Sequence, residues 1–528
     1  MYIGSIISRL RHTANLSQEK FAETLGLSRQ AVQKWENGTS MPDINNIISI
    51  AKFFNVSIDT LLLGSDKRIA EEMSVDKIIQ PQYKSIHQWE LYSADLMIEY
   101  RQTIDEGKDI SQYKNLFKAV ADMPVSSHKE DISNVLYNIV LNAKQVDNYA
   151  YVEPSELEEI RSLRPEFEYN KTVKMNADKL RRKIAGAWTG RICGCLLGKP
   201  VEGIKSEELH PILKESGNYP MYRYIHSADI TEKMCDTYSF RLKDKCYADT
   251  ISCAPVDDDT NYTVLSAELI KKYGRDFTSY DVSKLWLACQ PKDAYCTAER
   301  VAFRNFVDGY YPPNSAIYKN PYREWIGAQI RGDYFGYINP GNAELAAEMA
   351  WRDASISHIK NGIYGEMFIA AMLAYAAVDD HIEQVVLGGL AQIPLTSRLY
   401  KNIMDVLSWY RDGISEKKCF EKITEQFDEH DSHDWCHTIS NAMIVVTSLL
   451  YGNGDFGKTV CAAVQTCFDT DCNGATAGSI VGMINGIECI SEDWSGPING
   501  VLDTSIFGVG KVKISDMIDI TMEHIGQI

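Results

Sequence analysis

The sequence lacks the features that mark membrane, secreted and zinc-finger proteins. No run of about 18 apolar residues occurs in the 528-residue chain, and the N-terminal MYIGSIISRL has no apolar signal core. The 13 cysteines are scattered, and the closest two, Cys193 and Cys195, have no partner pair with which to form a zinc site. We therefore expect a reduced, soluble, cytoplasmic protein.

Positive charge is also scarce over most of the chain. The net charge of −18 argues against nucleic-acid binding by the surface as a whole. The charge is unevenly distributed, because residues 1–65 carry +1 and the remainder carries −19. Only the N-terminal segment is expected to approach a phosphate backbone without strong repulsion. A composition of 45% apolar and 24% charged residues is ordinary, and the length allows two or three domains.

Helical periodicity interrupted by short turns marks residues 3–64. LSQE at 16–19 opens one helix with a serine cap, and Gly26 ends it. LSRQ at 27–30 caps a second helix that runs to Asn37 and Gly38. Two helices joined by a short turn form a helix-turn-helix unit. Long polar side chains project from the second helix, where they can reach base edges and phosphates in a major groove.

The stretch LSQEKFAETLGLSRQAVQKWENGTSMPD resembles the phage-repressor (Cro-like, XRE) DNA-binding family over about 60 residues. The resemblance implies five helices, a double-stranded DNA operator as partner, Gln18 near phosphate, and Gln30 and Gln33 as base readers. A small helical interaction module is the alternative. Such readers usually hold two half-sites about one DNA turn apart, so we expect a homodimer. The expected DNA-contact residues are Gln18, Ser28, Arg29, Gln30, Gln33 and Lys34.

The middle of the chain, residues 66–178, is rich in charge, tyrosine and leucine and contains no low-complexity run. SIHQWELYSADLMIEYRQTIDEG and KEDISNVLYNIVLNAK have amphipathic helical periodicity. We expect a helical connector that packs on the C-terminal domain. Supplying dimer contacts is a further role that this segment could have. No catalytic cluster is apparent there.

Two acidic segments lie about 210 residues apart, and nothing nearby in sequence neutralises them. PVDDDTNYTVLSAELI places Asp257, Asp258 and Asp259 directly before an amphipathic helix. CFDTDCNGATAG places Asp469 and Asp471 ahead of a helix of small residues. Adjacent carboxylates repel one another, and a helix N-terminus offers only about half an elementary charge. Oxygen ligands in this number suit Mg²⁺, Mn²⁺ or Ca²⁺ in a two-metal centre. Helix capping or an acidic surface loop is the alternative.

The small-residue helix after Asp471 has its own implication. Its small side chains recur at three- and four-residue spacing and would let two helices approach closely, which would carry both aspartates into a packed interior. Helix packing with no chemistry is the alternative. The residues are Gly474, Ala475, Ala477, Gly478, Gly482 and Gly486.

Four motifs occur in the order found in the ADP-ribosylglycohydrolase family: GAWTGRICGCLLGKPVEG, DDDTNYT, NPGNAELAAEMAWRDASISHIKNGIYGE and FDTDCNGATAGSIVG. The resemblance covers about residues 180–490. It implies an all-α domain, a cleft with two Mg²⁺ ions, and hydrolysis of the bond between ADP-ribose and an acceptor such as an arginine or serine side chain. We expect an all-α chain with a helix-turn-helix domain at 1–66, a helical connector at 67–178 and an ADP-ribosylglycohydrolase-like domain at 179–528.

The same resemblance assigns roles to individual residues. Glu202 matches a family glutamate near the metals that is implicated in catalysis, and His358 matches a histidine beside the ribose. Either Glu202 or Asp259 is expected to be the general base. The expected metal ligands are Asp257, Asp258, Asp259, Asp469, Asp471 and Cys472, with Mn²⁺ as the alternative to Mg²⁺.

Several positions depart from the family pattern. Asp257 and Cys472 stand where the family usually has hydroxyl side chains, and Cys195 replaces a common aspartate. A thiol is a poor ligand for Mg²⁺, so either one metal loses a ligand or Asp257 compensates. IGAQIRGDYFG replaces the family's substrate loop. Its polar residues join the histidine in the expected substrate-binding set, which is His358, Gln329, Arg331 and Asp333. These changes indicate a distinct subfamily with a different acceptor.

Two functions are consistent with this sequence. The first is a metal-dependent hydrolase of an ADP-ribosylated or related nucleotide-sugar substrate, fused to a sequence-specific DNA-binding domain. The second is a transcriptional regulator whose hydrolase-like domain only senses ADP-ribose or an NAD-derived metabolite. Retention of the acidic residues favours the enzyme, because a sensor need not keep the catalytic groups.

Overall fold

In the computed structural model, the described residues of the N-terminal unit, Met1–Gln82, form five short helices. The structure describes residues 3–56, 58–63, 81–167 and 176–526. The five helices are α1 (Ile3–Thr13), α2 (Gln18–Thr24), α3 (Arg29–Glu36), α4 (Ile44–Phe54) and α5 (Ile58–Leu63). This confirms the expected five-helix arrangement.

Serine caps start the two helices of the helix-turn-helix as the sequence predicts. The Ser17 hydroxyl accepts the Lys20 N–H and begins α2, and the Ser28 hydroxyl accepts the Ala31 N–H and begins α3. Gly26, in the turn between them, has a φ of 69°, a left-handed conformation that glycine adopts without a steric penalty. The buried core of this unit includes Phe21, Val32 and Trp35.

Helices also dominate the second unit, Tyr83–Ile528. The first group is α6 (Leu96–Asp105), α7 (Lys114–Ala121), α8 (Ser127–Asn142), α9 (Leu157–Ser162), α10 (Ala177–Gly198), α11 (Ser206–Glu215), α12 (Glu232–Thr237), α13 (Asp258–Tyr273), α14 (Ser279–Cys289), α15 (Thr297–Val307) and α16 (Asn314–Ile317). The second group is α17 (Asp333–Tyr337), α18 (Ala343–Ala354), α19 (Lys360–Ala376), α20 (Ile382–Leu390), α21 (Arg398–Arg411), α22 (Glu416–Thr424), α23 (Thr438–Gly452), α24 (Phe456–Val464), α25 (Thr470–Asn485), α26 (Glu492–Ser495) and α27 (Ile514–Ile525).

Among the residues that the structure describes, the only β-strands form one short antiparallel pair. β1 (Val501–Leu502) pairs with β2 (Val512–Lys513), with Val501 opposite Lys513. The fold is therefore all-α, as expected. Within the residues that the structure describes, no helix has both the length and the apolar character needed to cross a bilayer.

Two glycine-bearing helices, α10 and α25, form the centre of the second unit. They run antiparallel and touch backbone to backbone: a Cβ on Gly190 would lie 2.2 Å from the Gly478 carbonyl oxygen, and a Cβ on Gly186 would lie 2.3 Å from that of Gly482. Side chains larger than hydrogen would force the helices apart. The predicted close approach of the small-residue helix is thus confirmed. It sets the N-terminus of α25 beside Gly198, at the end of α10.

Residues 83–167 belong to the same compact unit as residues 176–526. Buried ion pairs join the two segments. The Arg323 guanidinium lies 2.9 Å from a Glu99 oxygen and 2.6 Å from a Glu106 oxygen, and Arg398 lies 2.9 Å from Glu153. These pairs lie in the protein interior, where a charge needs a partner close by. The expected domain boundary at residue 178 stays a prediction.

Candidate active site

A cavity of about 730 Å³ opens in the second unit where α10, α13 and α25 end or begin. Both acidic segments reach it, although they lie far apart in sequence. The carboxylates along its wall include Glu202 and four from the two acidic segments, Asp257, Asp258, Asp469 and Asp471. The aromatic side chains that line it are Trp89, Tyr322, Trp325 and Trp435. A cavity with an acidic floor and aromatic walls has the character of a small-molecule site.

Helix starts position the aspartates. Asp257 is the N-cap of α13 and accepts the Asp259 N–H at 3.0 Å, so Asp258 and Asp259 fall in the first turn. Asp469 is the N-cap residue of α25, but its side chain makes no capping hydrogen bond. Asp471 lies in the first turn of that helix. Capping therefore accounts for the Asp257 side chain and leaves the other acidic groups unexplained.

The remaining carboxylates are poorly compensated. Burial, and then the charges of neighbouring carboxylates, raise the pKa values of Asp258 and Asp471 well above their ordinary range. Burial also raises the pKa of Asp259, against the opposing charge of Arg191. One oxygen of Asp259, Oδ2, is buried and has no hydrogen-bond partner. An uncompensated, buried carboxylate oxygen is a position that a cation would stabilise.

Among the described residues, two groups of side chains at this site have donor atoms close enough for metal binding, and Asp259 belongs to both. One group is Asp259, Asp471 and Cys472, and the other is Cys195, Asp257 and Asp259. Within each group the donor atoms lie within 4.8 Å of one another, and every member is buried. The carboxylate oxygens of each group suit Mg²⁺ or Mn²⁺, whereas the thiol is a poor ligand for Mg²⁺, so the residues present fit the implied metal through their aspartates.

Lys199 brings a positive charge to this acidic site. Its ammonium lies 2.7 Å from Asp257 Oδ2. Burial works against the charged form of Asp257, but the charge and hydrogen bond of Lys199 outweigh it and hold the pKa of Asp257 below its ordinary value. The sequence analysis overlooked this lysine, although it lies within GKPVEG.

Glu202 follows the short turn Lys199–Val201 and faces the cavity. Its surface stays open to the cavity, yet desolvation by the surrounding walls and the charges of Asp469 and Asp257 raise the pKa of Glu202 to about 7. A carboxyl group with this pKa can both accept and give up a proton near neutral pH.

Arg191, on α10, contacts Asp259 on the side away from the cavity. It is fully buried, donates to the Asp259 carbonyl oxygen at 2.8 Å, and pairs with Asp333 at 2.9 Å. Burial disfavours its charge, but the carboxylates of Asp333 and Asp259 more than offset this and raise the pKa of Arg191. The sequence signal was an arginine inside the small and apolar C-terminal half of this helix, but Arg191 was not among the expected site residues.

The four residues expected to bind substrate lie behind the cavity and not on its surface. None of His358, Gln329, Arg331 and Asp333 lines it, and all are buried. Arg331 pairs with Glu299 at 2.6 Å, and Glu299 does line the cavity. The His358 ring bonds to the Ser357 hydroxyl at 2.8 Å. The structure places these four residues behind the cavity lining, and their contact with substrate stays a prediction.

The segment before residue 167 supplies cavity residues that the sequence analysis did not predict. Gln88, Trp89, Asp95 and Ile98 line one side of the cavity. The Trp89 ring is half-buried, and the Arg300 guanidinium lies over it at 5.1 Å from the ring centroid. Amphipathic periodicity identified the helix here but gave no sign that its N-terminal flank would reach an active site.

The helix-turn-helix unit exposes the polar face of α3. Arg29, Gln30, Gln33 and Lys34 are exposed, and Val32 and Trp35 are buried on the opposite side. Ser28 caps this helix and is exposed. Gln18 instead donates to a Glu36 carboxylate oxygen at 2.7 Å, and Arg11 pairs with the same carboxylate at 2.6 Å. The contact of these residues with DNA stays a prediction.

The fold and the cavity together define an all-α protein with an acidic cleft in its second unit and a helix-turn-helix unit at its N-terminus. Residues 176–520 match the family model of ADP-ribosylglycohydrolase, and residues 7–61 match a helix-turn-helix model. The chain belongs to the ADP-ribosylglycohydrolase family.

Similar proteins match mainly at the N-terminus. The HTH-type transcriptional activator BcrR of Enterococcus faecalis is 45% identical over 66 residues, which are 12% of this chain and 32% of BcrR. Antitoxin PezA of Streptococcus pneumoniae is 41% identical over 68 residues, 13% of this chain and 42% of PezA. The chain thus spans less than half the length of either relative. A solved structure described as an ADP-ribosylglycohydrolase-related protein complex aligns with 66% of this chain and 99% of its own, at a TM-score of 0.38 and 15% identity.

Proposed function

We propose that this protein is a divalent-metal-dependent hydrolase that cleaves the glycosidic bond of an ADP-ribosylated or related nucleotide-sugar substrate, and that its helix-turn-helix domain binds a DNA operator. The observation that supports the catalytic proposal is the meeting of two distant acidic segments in one cavity. There, Asp259 and Asp471 lie in one group of donor atoms and Asp259 Oδ2 has no hydrogen-bond partner.

The cation-binding residues would come from both segments. Asp258, Asp259, Asp469 and Asp471 offer oxygen donors around the floor of the cavity, and Cys472 adds a thiol. A bound divalent cation, Mg²⁺ or Mn²⁺, would supply charge that orients the ribose hydroxyls and polarises the sugar. The carboxylates would also stabilise the positive charge that develops at the anomeric carbon during cleavage.

Of the two candidates for the general base, Glu202 has the more suitable position. Asp259 is fully buried and its carboxylate is held by Arg191, whereas Glu202 opens onto the cavity and has a pKa raised to about 7. Glu202 would therefore take the proton of the attacking water, and Arg191 would hold Asp259 in position.

The direct test is release of ADP-ribose from modified arginine, modified serine and modified nucleic acid. We expect turnover by the wild-type chain on at least one of these substrates, and a loss of about 100-fold or more in Asp471→Asn and Glu202→Gln. Glu232→Gln, at an exposed helix start outside the cavity, is the matched control and should keep full activity.

The competing proposal is a sensor, and the same samples distinguish it. A sensor would bind ADP-ribose and change its operator affinity without turnover on any substrate. Turnover that disappears in both cavity variants and survives in Glu232→Gln contradicts the sensor. We also propose that the protein binds DNA as a homodimer, because two helix-turn-helix units would occupy two half-sites.

A further inference from the structure

The two groups of donor atoms in the cavity are unequal in charge. Both contain Asp259, but only the group of Cys195, Asp257 and Asp259 has an ammonium in contact with it. In that group each oxygen of Asp257 already has a partner: Oδ1 accepts the Asp259 N–H at 3.0 Å, and Oδ2 lies 2.7 Å from Lys199 Nζ.

The position of Lys199 is fixed by the central helix pair. It follows Gly198 at the end of α10, and a Cβ on Gly198 would lie 2.3 Å from the backbone of Thr470. The Thr470 hydroxyl donates to the Gly198 carbonyl oxygen at 3.0 Å. The backbone that carries Lys199 is therefore held against the start of α25, and the ammonium reaches Asp257 with its side chain mostly buried.

The group of Asp259, Asp471 and Cys472 differs. Among the described residues, no lysine or arginine forms an ion pair with Asp471, and the only ion pair of Asp259 is made through Oδ1 to Arg191 at 3.2 Å. Asp259 Oδ2 is buried without a partner. This group therefore has both the ligand atoms and the uncompensated charge that a cation would satisfy.

We propose that Lys199 takes the place of one of two cations, so that the cavity binds a single divalent ion at Asp259, Asp471 and Cys472. An ammonium at 2.7 Å and a second divalent ion would compete for the same oxygen of Asp257 and would repel each other across a few ångströms. The inference rests on the metal-dependent cavity of the proposed function and departs from the expected pair of ions.

The experiment counts Mn²⁺ bound to the full chain by equilibrium dialysis with metal analysis, and records the electron paramagnetic resonance spectrum of the bound ion. The wild-type chain should bind about one Mn²⁺ and give the spectrum of an isolated ion. Lys199→Met keeps the side-chain stem and removes the charge, so it should bind about two Mn²⁺ with a spin-coupled spectrum, because paired ions lie about 3.5–4 Å apart.

Two further variants keep the result interpretable. Lys199→Arg retains the positive charge and should stay at about one ion. Lys205→Met removes a nearby lysine whose ammonium lies over the Trp435 ring, at 5.4 Å from its centroid, and should also stay at about one ion. If Lys199→Met does not fold, the comparison of wild type with Lys199→Arg and the wild-type spectrum still decide the question.

The outcomes separate this inference from the proposed function. Two coupled Mn²⁺ ions in the wild-type chain, or one ion in folded Lys199→Met, would overturn the inference and leave a metal-dependent hydrolase intact. No bound Mn²⁺ in the wild-type chain would overturn both.

Discussion

Gly194 on α10 and Gly474 on α25 touch through their backbones, and a Cβ added to Gly194 would lie only 1.9 Å from the Gly474 carbonyl oxygen. Gly198 lies one helical turn after Gly194 and contacts Thr470 at the start of α25, beside the acidic floor of the cavity. Helix packing and the position of the catalytic groups therefore depend on the same residues.

Gly194→Ala should accordingly destabilise the second unit and weaken cation binding together. The clash is with backbone, which cannot move aside as a flexible side chain can, so we expect a loss of about 2–4 kcal/mol in the free energy of unfolding. Urea denaturation and Mn²⁺ titration measure the two effects. Gly526→Ala, with no atom nearer than 3.5 Å to the added Cβ, should stay within about 0.5 kcal/mol of wild type. Equal stability of the two variants would contradict the predicted clash.

Arg323→Met tests the buried ion pairs that fasten α6 to the rest of the unit. The substitution leaves Glu99 and Glu106 without their guanidinium partner, and breaking a buried pair costs about 3–5 kcal/mol. Denaturation at pH 7 measures the loss. The control is Arg101→Met, which removes a half-exposed arginine from α6 and should lower the free energy of unfolding by about 1 kcal/mol or less. A similar small loss in Arg323→Met would show that the pair contributes little.

The same ion pair predicts a dependence of stability on acid. Burial alone would raise the pKa of Glu106, but Arg323 and Lys360 lower it to about 2 in the folded chain, below the ordinary value of 4.5. A depressed folded pKa stabilises the fold above the unfolded pKa, and this contribution is lost as pH falls from about 4.5 to about 2. The difference in unfolding free energy between wild type and Glu106→Gln should therefore shrink over that range. A constant difference from pH 6 to pH 3 would be inconsistent with the depressed pKa.

Cation binding should strengthen as pH rises through neutrality. Burial and neighbouring carboxylates raise the pKa of Glu202 to about 7 and raise those of Asp258 and Asp471, so bound protons must leave when a cation enters. The Mn²⁺ dissociation constant should fall by up to about tenfold per pH unit for each proton released, measured by calorimetry from pH 6 to pH 8. Glu202→Gln should flatten this dependence. An unchanged slope in that variant would assign the released proton to another group.

Trp89→Ala tests whether the segment before residue 167 contacts substrate. The ring lines the cavity beside Arg300, so its loss should raise KM by about tenfold and change kcat by less than threefold. Trp89→Phe, which keeps an aromatic surface, should recover most of the affinity. A fall in kcat alone in Trp89→Ala would place Trp89 outside the binding surface.

Gln33→Ala tests the DNA-reading face of α3. Loss of a bidentate base contact should cost about 1–3 kcal/mol against the preferred operator and leave binding to random DNA nearly unchanged. Operator selection from a randomised library, followed by electrophoretic shift assays, measures this difference. Asn45→Ala, an exposed polar residue on α4, is the control for substitutions in this unit. Equal losses on all DNA sequences would indicate a phosphate contact instead.

Local patterns predicted much of this structure, because caps, turns and periodicity act over a few residues. Ser17, Ser28 and Gly26 placed two helices correctly, and the small residues after Asp471 predicted close helix packing. Long-range charge pairs were not predictable in this way. Glu106 and Arg323 lie 217 residues apart, and nothing in either segment identifies the partner.

The candidate site shows the same limit. Ordered motifs identified aspartates that meet at one cavity, and the family resemblance placed Arg331 and Asp333 in its substrate loop. The structure pairs these two side chains with Asp353 and Arg191 inside the protein, which local sequence did not indicate. Sequence polarity indicates that a partner is needed, and only the fold shows whether that partner is a ligand or another side chain.

The dependence of Arg323 and Arg398 on Glu99, Glu106 and Glu153 has a practical consequence for dissecting this protein. A fragment starting at residue 176, where the family match begins, would lack both of the carboxylates that pair with Arg323. Arg398 would lose Glu153 and keep only Glu324. It would also open one side of the cavity to water. The smallest piece that we expect to fold and retain a complete cavity therefore starts near Tyr83, so the compact unit is larger than the segment that matches the family.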